Sequence, residues 1–407
     1  MSARFLTVVL ERAFNMRDGF GREIDYMRIS VIDSCNLNCY YCNPCDNNEH
    51  CHALNILSVK EVLCIVRAAT RLGIKHFRLT GGEPLLHPQL DEMVLQIKKI
   101  PGVSSVSLTT NAVLLVQHAK WLKEAGIDSV NVSLDTIDAS EYERITKKPL
   151  LEEVKHGINA AIECGIRVKI NVVLTPQTDV VALTRYVAKK GTDIRFIEMM
   201  PVGEGHTNGV EPYKKVIGTL SKLYGEPCRI NTEKTKEINS GNDKRKIPDN
   251  GPAEYYIFPE LGIRVGLIQA IHGKFCDTCN RIRVTADGRL MPCLGSSVTM
   301  DLVPDSWDFA DDVEKDFAIV RALRAAIKAK PRCHNFNDNA VTYTKTSETK
   351  TTEIEAAEVN AARSFPIIFY QPPIRLIFLA AFTSAASISV VFVSVVFVYV
   401  TALSLKL

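Results

Sequence analysis

The sequence has almost no net charge: 49 Lys and Arg against 46 Asp and Glu leave +3 over 407 residues. A surplus that small gives no electrostatic case for nucleic acid or an acidic membrane surface as partner. The amino-terminal stretch MSARFLTVVLERAF has a six-residue apolar run and then Glu11 and Arg12. It lacks the long apolar centre and small-residue cleavage site of a secretory signal, so the chain reads as cytoplasmic. Thiols stay reduced in that compartment, which excludes disulfides as the reason for twelve cysteines and leaves metal. Six cysteines form two clusters of three. Cys45, Cys51, Cys64, Cys164, Cys228 and Cys333 are scattered and read as small hydrophobes, with Cys45 a rival ligand near the first cluster.

From residue 25 to 200, short β-branched runs alternate with amphipathic helical patterns. The runs occupy 25–32, 76–80, 104–110, 128–134, 167–174 and 194–200. The helical patterns occupy 58–73, 89–99, 113–125, 151–165 and 179–190. Ser58 and Glu61 are spaced as a capping box, and Gly73 is a stop signal. Such alternation implies parallel strands with right-handed crossovers. Six repeats predict an α/β fold, a partial (β/α)6 TIM-like barrel. A doubly wound open sheet is the competing arrangement on periodicity alone.

After residue 201 the pattern loosens into a polar loop at 231–252, a hairpin signal at Asp287-Gly288 and a helical stretch at 311–330. The expected organisation is an N-terminal segment 1–24, a barrel 25–225, a smaller C-terminal domain 226–338 and an atypical tail 339–407. From Leu376 to Leu405 there is no charged residue. Roughly 20 apolar residues span a bilayer, so a membrane tether is one reading. An artefactual, frame-shifted end explains the abrupt change of character better.

The stretch Cys35-Asn-Leu-Asn-Cys39-Tyr-Tyr-Cys42 directly follows the first strand. A structural zinc wants four ligands. An iron–sulfur cluster accepts three thiolates if one iron keeps an open position. In a barrel, function gathers at the C-terminal strand ends. Those ends carry Gly81-Gly82-Glu83-Pro84, Thr109-Thr110-Asn111, Ser133-Leu134-Asp135, Lys169 with Asn171, and Glu198-Met199-Met200-Pro201. The glycine pair lets backbone approach a ligand closely, and Glu83 can accept from an ammonium group. Asn111 and Ser133 are candidates for the sugar and carboxylate of the same ligand. An ordinary Gly-Gly turn is the competing reading.

Cys276, Cys279 and Cys293 form the second cluster, with the hairpin returning Cys293 toward Cys279. His272 could complete a zinc site, and an iron–sulfur cluster with an open iron is the alternative. Arg281 and Arg283 lie two apart on one strand and share a face, as suits an anionic or carbonyl-rich ligand. A solvated strand face is the plain alternative.

With both triads in place, the chain resembles the GTP 3′,8-cyclases (molybdenum cofactor biosynthesis protein A), a family of radical S-adenosylmethionine enzymes. The stretches that carry it include YMRISVIDSCNLNCYYCNP, FRLTGGEPLLHPQLDEMV, NVSLDTID, IRFIEMMPVGEG and FCDTCNRIRVTADGRLMPCL, over about residues 20–337. The resemblance implies a radical SAM barrel and two 4Fe-4S clusters, on Cys35, Cys39 and Cys42 and on Cys276, Cys279 and Cys293. It implies that a 5′-deoxyadenosyl radical takes the 3′ hydrogen of GTP. The ribose radical then closes on C8, giving (8S)-3′,8-cyclo-7,8-dihydroguanosine 5′-triphosphate. Tyr41, Gly82, Glu83, Asn111, Ser133 and Met200 match positions around S-adenosyl-L-methionine. Arg28, Arg78, Thr109, Lys169, Arg195, Arg281 and Arg283 match positions around GTP. A reductant as electron donor, a cyclic pyranopterin monophosphate synthase that takes the product, and a homodimer are the implied partners. A radical SAM peptide-modifying enzyme and a zinc-binding homologue that has lost catalysis are the alternatives.

The chain departs from the family at Ser34 (usually Arg), His76 (usually Lys) and Ala112 (usually Gly). It has no glycine after Gly295, whereas the family ends in a Gly-Gly tail. The expectation is a chain that binds both clusters and turns over GTP slowly. Equal turnover with and without an added peptide ending in Gly-Gly overturns that.

Overall fold

Six strands alternate with helices where the periodicity places them. They are β1 Tyr26–Ser30, β2 His76–Thr80, β3 Ser105–Thr110, β4 Ser129–Ser133, β5 Val168–Val173 and β6 Asp193–Ile197. The connecting helices are α1 Val59–Arg71, α2 Leu90–Lys98, α3 Leu115–Glu124, α4 Ala139–Thr146, α5 Leu151–Glu163 and α6 Val180–Lys189. The structure is a computed structural model and describes residues 16–42, 55–201, 210–230, 251–296, 298–302, 312–334 and 336. All of these fall in one compact unit, Met1–Tyr343. Cys45, Cys51, most of the polar loop at 231–252 and the apolar run 376–405 lie outside the described residues. Among the described residues, no helix is long and apolar enough to cross a membrane.

Each of the six strands pairs in parallel with the next in sequence. There is no reversal of strand order, so the doubly wound sheet is excluded and the partial barrel stands. The later strands are β7 Cys228–Arg229, β8 Glu254–Ile257, β9 Arg264–Ile268, β10 Arg281–Val284, β11 Arg289–Met291 and β12 Met300–Asp301. β9 lies parallel beside β6, and β10 lies parallel beside β1. The later residues therefore extend the sheet at both of the barrel's edges. The other helices of the described residues include α7 Gly218–Tyr224 and α8 Asp312–Lys328.

Alternation along the strands decides where the core sits. One set of side chains is apolar and buried: Met27, Ile29, Phe77, Leu79, Val106, Leu108, Val130, Val132, Ile170 and Phe196. They pack with Val62, Ile65, Val66 and Ala69 of α1 and their counterparts on the other helices. Full burial of one such side chain is worth roughly 1.5–3 kcal/mol. The opposite set is polar: Arg28, Arg78, Ser107, Thr109, Asn131, Lys169, Asn171 and Arg195. The barrel is thus greasy toward its helices and polar within.

Local chemistry accounts for several boundaries. The capping box at α1 forms, with Ser58 N–H donating to Glu61 Oε2 at 2.6 Å and Glu61 N–H to Ser58 Oγ at 3.3 Å. Helix α4 was not expected from periodicity. Its signal is Asp138, whose Oδ1 accepts from the Glu141 N–H at 2.8 Å as an N-cap. Ala112 has φ +66° and is fully buried. The family's usual glycine at this position is explained by that left-handed backbone, which costs an alanine roughly 1–2 kcal/mol. Gly157 of α5 packs directly below, where a Cβ would lie 2.3 Å from the Ala112 carbonyl oxygen. We expect Ala112→Gly to stabilise the protein by about 0.5 kcal/mol, the strain relieved less the extra unfolded-state entropy of glycine. Denaturant midpoints of the two proteins check this; a lower midpoint for the glycine variant contradicts it.

Candidate active site in the barrel mouth

The three-cysteine loop leaves β1 and is strapped across the mouth. The Asn38 N–H donates to the Thr146 carbonyl (3.0 Å) and the Tyr40 N–H to the Ile145 carbonyl (3.1 Å), both at the end of α4. The Cys42 N–H closes a turn on the Cys39 carbonyl at 2.9 Å. Leu37 N–H and Asn111 Nδ2 point at the Cys35 sulfur, at 3.5 and 3.8 Å. Burial pushes the Cys35, Cys39 and Cys42 thiols up, Cys39 to about 12; the Asp135 charge adds to this at Cys39 and Cys42, and neighbouring thiols add to it at Cys35 and Cys39. Three sulfurs within electrostatic reach, with N–H donors aimed at one of them, suit thiolates bound to a cationic cluster.

GGEP works differently from the sequence expectation. A Cβ on Gly81 would lie 2.2 Å from the Ile32 carbonyl oxygen, and one on Gly82 would lie 2.1 Å from that of Ser34. The glycines thus admit the chain's own backbone just before Cys35. The Gly82 and Glu83 N–H groups donate to the Ile32 and Ser34 carbonyls, both at 2.8 Å. Glu83 is 1% exposed. Its carboxylate accepts from the Thr110 hydroxyl (2.7 Å) and the Asn111 (2.7 Å) and Leu85 (3.0 Å) N–H groups. Most of its acceptor capacity is therefore spent joining the ends of β2 and β3. Burial holds its carboxyl above the usual range despite those bonds. Asn111 is tied too, its Nδ2 donating to Asn36 Oδ1 at 2.7 Å. Ser133 is exposed at the end of β4, and Met200 is half-buried beyond β6.

Below the mouth, the register gathers the basic residues. Arg28 stands opposite Arg78 on one side and Arg283 on the other. Burial lowers the Arg28 pKa well below the usual guanidinium value, and the charges of Arg283, Arg78 and Arg281 lower it further. The Nε atoms of Arg28 and Arg281 and the Thr109 hydroxyl are buried with no hydrogen-bond partner among the described residues. Arg78 Nε donates to Ser107 Oγ at 3.1 Å, and its guanidinium lies over the Tyr26 ring. Arg195 is 1% exposed and donates to Asn171 (Nε, 2.9 Å) and to Asn131. Gly266 makes room for it, since a Cβ there would sit 2.8 Å from Arg195 Cγ. Lys169, on β5 between these groups, is buried. His76 stacks beside Tyr26 and hydrogen-bonds Ser105 at 2.8 Å, with its pKa lowered by burial.

The second triad is assembled from distant segments. Cys276 opens a short turn, and the Cys279 N–H donates to its carbonyl at 3.1 Å. The β10–β11 hairpin carries Cys293 back as expected. Glu198 holds His272, engaging its ring Nδ1 and accepting from its backbone N–H at 3.1 Å. Among the described residues, no three His, Cys, Asp or Glu side chains gather as ligands of a single metal ion.

Periodicity gave no notice of two residues that hold this site. Arg22 Nη1 donates to the Cys276 (2.7 Å) and Arg332 (2.9 Å) carbonyls, and its Nη2 donates to that of Pro331 (2.6 Å). Buried Lys330 donates to the Arg281 and Pro292 carbonyls, both at 2.8 Å, on either flank of the triad. Burial raises the Cys279 thiol, but the charges of Arg281 and Lys330 outweigh it and leave the pKa lowered. Cys64 is buried as a small hydrophobe, whereas Cys228 and Cys333 are exposed, against expectation.

A parallel partial barrel with a three-cysteine loop on its first strand defines a radical SAM protein. The chain matches the model of the Radical SAM superfamily over residues 29–182 and that of Molybdenum Cofactor Synthesis C over 192–336. It is 36% identical over 324 residues to the GTP 3′,8-cyclase of Clostridium perfringens, covering 79% of this chain and 95% of the relative. The GTP 3′,8-cyclase of Pelotomaculum thermopropionicum is 37% identical over 327 residues, covering 79% and 95%. In fold, the chain is similar to Streptococcus suis SuiB bound to S-adenosylmethionine, with TM-score 0.50, 15% identity and coverage of 79% and 69%. The chain belongs to the GTP 3′,8-cyclase family. It is accordingly a radical SAM lyase of molybdenum cofactor biosynthesis that uses an iron–sulfur cluster and S-adenosylmethionine and takes GTP as substrate.

Lys330→Met should cost about 2–3 kcal/mol, since two buried carbonyls lose a charged donor. It should also speed alkylation of Cys276 and Cys293 in the metal-free protein. Unchanged labelling rates would show that Lys330 does not order the triad.

Proposed function

We propose that this chain binds GTP inside the barrel, with the triphosphate on the row of Arg28, Arg78 and Arg283 and with Lys169 and Arg195 beside it. The carrying observation is Arg28, buried among like charges with its Nε unpartnered among the described residues. A polyanion supplies the missing partner. The first triad, Cys35, Cys39 and Cys42, holds a 4Fe-4S cluster that supplies the electron for cleaving S-adenosylmethionine. Asn111, Ser133 and Met200 line that ligand, while Tyr41, Gly82 and Glu83 fix the loop over it. Cys276, Cys279 and Cys293 hold a second 4Fe-4S cluster beside the guanine, with Arg281 and Arg283 at its edge. Thr109 offers its hydroxyl to the nucleotide. Enclosure matters because a primary carbon radical takes hydrogen from whatever it touches. The electron comes from a cytoplasmic reductant, and the product passes to a cyclic pyranopterin monophosphate synthase.

Anaerobic incubation with GTP, S-adenosylmethionine and dithionite tests the reading. We expect 5′-deoxyadenosine and a cyclised nucleotide together, from protein carrying about eight irons per chain. About four irons with full turnover would remove the second cluster. A colourless zinc protein would remove both.

Arg28 also makes a sharper case. Arg28→Met should stabilise the ligand-free protein by about 1 kcal/mol, because it removes a crowded buried charge. The same change should weaken GTP binding at least tenfold by calorimetry. A variant both less stable and equally tight for GTP would contradict the assignment.

A further inference from the structure

Asp135 follows β4 and has no assigned role, yet it joins three elements. Its Oδ1 accepts from the Val173 N–H of β5 at 2.7 Å, and its Oδ2 accepts the Tyr41 hydroxyl. Among the described residues it has no cationic partner within salt-bridge distance. Burial raises its pKa to about 6 against the pull of those two bonds.

Tyr41 lies between Cys39 and Cys42, inside the turn closed by the Cys42 N–H. Asn36 is tied to Asn111, and the Asn38 and Tyr40 N–H groups to the end of α4, so within the Cys39–Cys42 segment Tyr40 is held by its backbone and Tyr41 by its side chain. The Tyr41 hydroxyl thus anchors the segment between the last two ligands. We propose that Asp135 is a positioning residue: acting through Tyr41, it fixes the Cys39–Cys42 turn over the ends of β4 and β5. The S-adenosylmethionine held at this triad must also meet Asn111, Ser133 and Met200 on the surrounding strand ends. A turn free to rotate against those ends would hold iron but misplace the ligand. The inference rests on the proposed assignment of Cys35, Cys39 and Cys42 to the cluster and of Asn111, Ser133 and Met200 to S-adenosylmethionine, and is independent of how GTP is seated or whether a second cluster is present.

A double-mutant cycle tests it. S-adenosylmethionine affinity is read from the change it causes in the electron paramagnetic resonance signal of the reduced cluster, and iron per chain is measured in parallel. Tyr41→Phe and Asp135→Ala should each weaken affinity about tenfold with iron largely retained. The double variant should be no worse than the poorer single variant within about twofold, because one interaction is lost once. Asp135→Asn should stay within about threefold of wild type, since its amide can accept from Val173 N–H and donate to Tyr41. Losses that multiply, an Asn variant as weak as the Ala variant, or wild-type affinity in Tyr41→Phe would each overturn the proposal. If Asp135→Ala fails to fold by circular dichroism, Tyr41→Phe alone decides.

Discussion

Everything in this fold follows from placing arginines inside a barrel. Neighbouring strands stand about 4.8 Å apart. Arg28 therefore sits between Arg78 and Arg283, whose charges repel its own and lower its pKa beyond the effect of burial. Hydrophobic burial on the helix side of the sheet must hold the strands together against that repulsion. Met27, Ile29, Phe77, Leu79, Val106, Leu108, Val130 and Val132 supply that burial. The interior is kept cationic by neutral company: Ser107 on Arg78, and Asn131 and Asn171 on Arg195. A carboxylate at any of these positions would satisfy the same donors and cancel the charge.

The mouth solves a different problem, holding a loop of soft ligands still with little hydrophobic packing beyond Leu37. It does so with backbone. Gly81 and Gly82 let the GGEP turn touch Ile32 and Ser34, and Glu83 binds that turn to the end of β3. Two sequence motifs, GGEP and the three cysteines, thus become one rigid object. The sequence reading assigned the glycines and Glu83 to the ligand. In the structure the contacts of both glycines and of the Glu83 side chain are with the chain itself.

How much was legible follows from the range of each interaction. Strand and helix limits were readable within a few residues because alternation, the Ser58 cap and Gly73 act locally. Periodicity left a doubly wound sheet in competition with the partial barrel, and only the strand order, which never reverses over β1 to β6, decides between them. Helix α4 was missed because it has eight residues and a single capping aspartate rather than a long apolar stripe. Ala112 could be flagged as a departure, but its reason, a positive φ, exists only in three dimensions. The partners of Arg22, Lys330 and Asp135 were invisible for a related cause. Each works by reaching a carbonyl or side chain far along the chain, and no spacing rule encodes such a partner.

The two triads differ in this respect, and the difference has consequences. The first triad comes from eight consecutive residues, and its supports come from the barrel strands and α4. The second needs the turn at Cys276, the hairpin to Cys293, Arg22 before β1 and residues 330–334 after α8. Arg22 alone ties Cys276 to Pro331 and Arg332 across more than 250 residues of sequence. A site closed over such separations forms only when the sheet is complete at its β10 edge, because Arg281 pairs with Tyr26 of β1. Its order is therefore a property of the sheet's closure at the β10 edge, while that of the first triad depends on strand ends β2 to β5 and on α4. Damage to the last described segment should loosen the second triad well before it disturbs the first.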